Sequence, residues 1–117
     1  MTTYCKPRQV KDLREHGRAI LAHGESTGHC HEVRADVDDV DTIPPYDYFE
    51  EPDGRRVLFV TRTCRLVHEE HGAITLDPDR PTLVRQGDVL LTPIGRGAWS
   101  VGRQREYTPE AIVNVAD

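Results

Sequence analysis

Apolar positions along this chain come in short runs, each cut off by glycine, proline or charge. Ala19-Ile20-Leu21-Ala22 is one such run, closed by His23-Gly24, and predicts a buried strand. Thr27 to Arg34 predicts a second. Tyr46-Asp47-Tyr48-Phe49 and Arg56 to Thr61 flank Pro52-Asp53-Gly54, and an Asp-Gly pair between β-rich runs predicts a hairpin, because glycine supplies the positive φ that the turn needs. Leu66-Val67-His68 and Ala73 to Leu76 flank a further turn at Glu69 to Gly72. Leu83-Val84, Val89-Leu90-Leu91 and Trp99-Ser100-Val101 complete the set. Short strands at this spacing favour an all-β sandwich or barrel over alternating strands and helices.

Two helices are expected at the ends. Pro7 suits a first helical turn, Val10 and Leu13 stand three apart and Gly17 can stop the helix, so residues 7 to 16 predict one. Thr108-Pro109-Glu110 carries helix-start chemistry and predicts a short closing helix over Thr108 to Val113. Residues 36 to 45, acidic and then Pro44-Pro45, read as an exposed connection. Its aspartates lack the central glycine and distal glutamate of a calcium loop.

Composition narrows the function. The chain has 117 residues, the length of a single domain spanning residues 1–117, with 37% hydrophobic residues and a mean hydropathy of −0.60. Such a core is lean, and a bound metal is one means of supplementing it. The net charge of −5 is the wrong sign for a protein that neutralises phosphates, which argues against nucleic acid as a partner. Three cysteines without paired spacing do not form a disulfide framework. The N-terminus is polar and no run approaches a membrane span, so the cytoplasm is the expected compartment.

Six histidines stand out. In Gly28-His29-Cys30-His31, strand geometry puts His29 and His31 on one face and Cys30 on the other. In His68-Glu69-Glu70-His71-Gly72, an uninterrupted strand would put His68 and Glu70 on one face and His71 on the other. A tight turn, favoured by Gly72 and the flanking apolar runs, instead brings its first and fourth residues within about 7 Å at Cα, so that both imidazoles can converge. Either way the segment can supply two ligands. His29, His31, His68 and His71 are therefore the expected ligands of a divalent transition metal, with zinc first and Fe, Mn, Ni or Cu also suited to imidazole. With an open coordination position the site can polarise water or a small-molecule substrate, and an adjacent Glu69 or Glu70, with Glu70 the first candidate, can then serve as general base. With four histidines bound, the metal is structural. Cys30 and Cys64 read as small buried residues, and His16 and His23 as surface groups.

A second reading is a protein-interaction module or homodimer, resting on Tyr46, Tyr48 and Phe49 among the charges of residues 36 to 51. Ser26, between Gly24 and Gly28, lacks the strand-to-helix setting of a nucleophile elbow.

Two segments resemble the cupins, small β-barrels that hold a metal with strand histidines. One is Gly24 to His31, where a glycine is followed closely by His-x-His. The other is Gly87 to Gly95, with Pro93 in the Gly-x5-Pro-x-Gly pattern. The resemblance implies a cupin-like barrel with a metal at its histidines. The cupin histidine three residues after Gly95 is Ala98 here. The strings Ala22 to His31, Leu66 to Ile74 and Gln104 to Glu110 resemble a family of small bacterial β proteins that have no assigned activity, which implies a shared scaffold. Within the last string, Gln104 to Tyr107 reads either as a polar network near the site or as a surface ion pair.

Overall fold

The computed structural model describes residues 3–23, 30–35 and 43–103. These form ten strands: β1 (Lys11–Asp12), β2 (Ala19–His23), β3 (Cys30–Ala35), β4 (Tyr46–Glu50), β5 (Arg56–Val60), β6 (Cys64–Val67), β7 (Ile74–Leu76), β8 (Val84–Gln86), β9 (Val89–Gly95) and β10 (Ala98–Arg103). The expected all-β class is the one observed. Two antiparallel sheets, ordered β1-β4-β5-β10-β9-β8 and β2-β3-β6-β7, pack face to face as a sandwich that does not close into a barrel.

The core lies between the sheets. Leu21 and Val33 meet Leu58, Val60, Leu91 and Trp99 there, and Trp99 satisfies its indole by donating to Thr82 O at 2.9 Å. Burying such side chains contributes roughly 1.5–3 kcal/mol each, which is what makes so lean an apolar content sufficient. The predicted Asp-Gly hairpin joins β4 to β5, with Gly54 at φ +93°. Every buried side-chain nitrogen and oxygen among the described residues has a hydrogen-bond partner.

The N-terminal helix expected over residues 7 to 16 does not form. Lys11 and Asp12 pair instead with Glu50 and Phe49 at the sheet edge, and Leu13 N–H donates to Tyr48 O. Val10 and Leu13 are too few for a helical apolar stripe, whereas the extended segment covers the outer face of the larger sheet. Tyr4 packs against Phe49 and Phe59, and Lys6 lies over the Phe49 ring. Burial and its hydrogen bond to Glu51 raise the Tyr4 phenol above its ordinary pKa. The segment then turns through His16 and Gly17, both at positive φ (53° and 78°), the type I′ pattern, with Glu15 and Arg18 bridged across it. The expected closing helix, the Asp36 to Asp41 stretch, Ser26 and Gln104 to Tyr107 lie outside the described residues. No helix among the described residues is long and apolar enough to cross a membrane.

Register sorts the strand ends into two sets. At one end stand His23, Cys30, Val67 and Ile74 of the smaller sheet. Lys11, Glu50, Arg56, Arg103, Val89 and Gln86 of the larger sheet stand at that same end. Gln86 ties the two sets together by donating from Nε2 to Leu66 O and Gly72 O, each at 3.0 Å.

Candidate functional site

The histidine end is assembled from three separate pieces of chain. His31 lies near the start of β3, where strand alternation aligns it with Val33 on the core-facing side, and it is 4% exposed. His68 and His71 sit in the β6–β7 turn. Their ring centroids are 4.8 Å apart, and they lie 4.2 Å and 5.9 Å respectively from the His31 ring. Three of the four predicted ligands are thus neighbours. The fourth, His29, lies outside the described residues.

The third piece is the β8–β9 turn, Gly87-Asp88, and sequence reasoning assigned it no part in the histidine site. Gly87 has φ +58° and occupies the first central position, as a type II′ turn requires. A Cβ there would stand 2.9 Å from His71 Nε2 and 3.5 Å from His31 Nε2. Glycine therefore serves twice: it permits the turn, and it leaves room for two imidazole nitrogens over one backbone position. The glycine was noticed in the sequence only for its spacing to Pro93 and Gly95. Nothing local connects it to His31.

Hydrogen bonding fixes the His31 tautomer. Carbonyl oxygens only accept, so both Gln86 Nε2 contacts are donations, and the Gln86 Oε1 must face the 2.8 Å contact with His31 Nδ1. Nδ1 therefore carries a proton, and Nε2 is the nitrogen turned toward the other groups of the cluster. This is the arrangement in which an outer partner orients a metal-binding imidazole. His31 Nε2 stands 3.5 Å from Asp88 Oδ1. Two groups bound to one ion at about 2.1 Å each, at a tetrahedral angle, would be about 3.4 Å apart. The Asp88 carboxylate is itself held on Oδ2 by Arg103, at 2.9 Å and 2.6 Å. Partial burial works against its ionisation, but the hydrogen bond and charge of Arg103 outweigh this and lower its pKa.

The other two rings are less prepared. His68 Nδ1 accepts the Glu70 N–H at 3.1 Å, which in a neutral ring places the proton on Nε2. His31 is stacked on both His68 and His71, rather than all three being aimed at one point. Among the described residues no three His, Cys, Asp or Glu side chains could hold a metal ion as they stand. Glu70, the candidate base, is exposed, and it is its backbone N–H that meets His68.

The remaining candidates are placed elsewhere. Cys64 is buried at the opposite end, its thiol donating to Arg62 O at 3.2 Å. Cys30 is half-buried and alternates with His31 along β3. His23 is exposed and donates to Glu15 at 2.7 Å, and His16 is part of the tight turn. Tyr48 is buried in the core with half-buried Tyr46 packed against it, and Phe49 is buried on the outer face under Tyr4 and Lys6, so none of the three projects as an exposed anchor.

Fold and site together define an antiparallel β-sandwich protein with a histidine cluster at one end. The model of a family described as a domain of unknown function (DUF8820) matches residues 3–79, well over half of the chain, and the chain belongs to that family. The match takes in His31, His68 and His71 and stops short of the turn that carries Gly87 and Asp88. No curated protein and no solved structure matches the chain.

Proposed function

We propose that this protein binds one divalent transition metal ion at the histidine end. His31, His68 and His71 are its ligands, His29 adds a further imidazole from the same His-x-His pair, and Asp88 is the adjoining carboxylate. The observation that carries this reading is the convergence of His31 and His71 Nε2 atoms over Gly87, with Gln86 fixing the tautomer of His31. A metal requires His68 to release the Glu70 N–H and the stacked rings to turn toward a common point. His68 and His71 are on a turn, and the exposed His71 can rotate at little packing cost. His31, locked by Gln86, provides the fixed ligand.

Zinc suits a set of imidazoles with one carboxylate, and Fe, Mn, Ni and Cu suit it as well. Once bound, such an ion lowers the pKa of a coordinated water and polarises carbonyl groups. In this chain Gln86 orients one ligand, and Arg103 keeps Asp88 ionised.

Elemental analysis of tag-free protein tests the proposal. One transition metal per chain is expected, and it is expected to be lost when His31 and His71 are both changed to Ala. Protein that carries no stoichiometric metal and takes none up from zinc, iron, manganese, nickel or copper salts would overturn it. If the metal is present, a large fall in melting temperature on its removal marks a structural site. An unchanged melting temperature marks an open one.

A further inference from the structure

Beside the histidine cluster, at the same end of the sandwich, a cavity of about 450 Å3 opens between β2 of the smaller sheet and β1, β4 and β5 of the larger. That is the size range of small-molecule sites. Its floor is apolar, formed by Leu13, Ile20, Leu21, Ala22 and Tyr48. Its rim is charged. Lys11, Glu50 and Arg56 occupy directly paired positions on β1, β4 and β5, so register places them side by side on one face of the sheet. Arg103 closes the rim next to the histidines, oriented by its two bonds to Asp88.

Cations gather at this rim although the chain carries a net charge of −5: Lys11, Arg56 and Arg103 line it with two carboxylates, Glu15 and Glu50, and Asp88 takes up the charge of Arg103. Glu15 accepts a hydrogen bond from His23 at 2.7 Å. Lys11 and Arg56 flank Glu50 in register, so two cations stand to one carboxylate along this edge of the rim. Burial raises the Tyr48 phenol above its ordinary pKa, so it stays a neutral hydrogen-bonding group beside Arg56.

We propose that this cavity binds a small organic anion, a molecule with an apolar body of a few carbons and one carboxylate. The body lies on Ile20, Leu21 and Tyr48, and the carboxylate is met by Arg56 and Lys11. The site stands on the cavity and its cations and does not depend on a metal at the histidines.

An NMR titration of the tag-free full chain tests it, using hexanoate, hexanamide and hexylammonium as probes. Hexanoate at millimolar concentration is expected to shift the amides of Ile20, Leu21, Tyr48 and Arg56. Hexanamide should bind about tenfold more weakly, which is the loss of one charge-assisted contact, and hexylammonium should bind less well still. Arg56→Gln and, separately, Lys11→Gln should weaken hexanoate by about the same factor while leaving hexanamide unchanged. The proposal is overturned if hexanoate shifts none of these amides, if hexylammonium binds as well, or if Arg56→Gln has no effect. Changing His68 and His71 to Ala separates the two sites. Hexanoate binding that persists there upholds the cavity even if metal binding fails, and binding that vanishes there but survives in Arg56→Gln makes the carboxylate a metal ligand and overturns it.

Discussion

The two ends of the sandwich are held together by different chemistry. At the end away from the histidines backbone bonds predominate: Val60 N–H donates to Gly97 O at 2.7 Å and Thr61 N–H to Pro45 O at 2.9 Å within the larger sheet, and Gly97 N–H reaches across to Pro78 O at 3.0 Å, with the exposed Arg96–Asp79 pair beside it. At the histidine end the crossing between sheets is made by a side chain: Gln86 of the larger sheet bridges His31 and two carbonyls of the smaller one, while Arg103 holds Asp88 within the larger sheet. A backbone-stapled end asks of the sequence only that certain positions tolerate unusual φ or close approach. A side-chain-stapled end asks for particular functional groups, and it can exchange partners, which is what a binding site needs.

The comparison breaks most readily at Gly97. A Cβ there would stand 2.7 Å from Val60 O, in a backbone held at φ +73°. Gly97→Ala is expected to cost on the order of 3 kcal/mol in urea unfolding, from the left-handed conformation and the clash together. The fraction that remains folded should bind metal and hexanoate as before. Gln86→Leu makes the opposite cut. It leaves His31 Nδ1 and the buried Leu66 O without their partner, costing about 2 kcal/mol, and should weaken metal binding roughly tenfold or more. Equal loss of affinity from both variants would mean that the two ends are not separable.

Smaller effects sharpen the contrast. Glu51, in the β4–β5 turn at the histidine end, is buried, accepts from Arg55 and Tyr4, and has its pKa lowered by the Arg55 hydrogen bond against the opposing effect of burial. A lowered folded pKa means that the interaction stabilises the protein above the ordinary glutamate value near 4.3 and is lost as pH falls through the folded value. Glu51→Gln should therefore cost about 1 kcal/mol at neutral pH, since Arg55 is partly exposed, and the two proteins should converge in stability only once the pH has fallen below the lowered folded value. At the backbone-stapled end, His16 occupies a positive-φ turn position that asparagine or glycine accepts more readily. His16→Asn should raise thermal stability by about 0.5 kcal/mol without altering either proposed site.

Local signals in the sequence were sufficient for most of the strands, though not for β1. The apolar run of β2, the β-rich runs of β4 and β5 around Asp53-Gly54, and the turn between β6 and β7 each depend on residues within a few positions of one another, and so does the pairing of His68 with His71. The helix over residues 7 to 16 failed for a tertiary reason. The edge of β4 and the rings of Phe49 and Phe59 were there to be covered, and an extended chain covers them better than a helix with two apolar residues.

What the sequence determined by itself was the all-β class, the hairpins and the approach of two histidines across one turn, because hydrophobic period and turn chemistry act over short separations. Tertiary structure decided which residues share an end. It set Gln86 on His31 across 55 positions of sequence, laid both rings over Gly87, and gathered Lys11, Glu50 and Arg56 beside a cavity that no local pattern announced. Those meetings depend on which strands pair and in what register, and register is fixed by burial of one face of each whole sheet against the other.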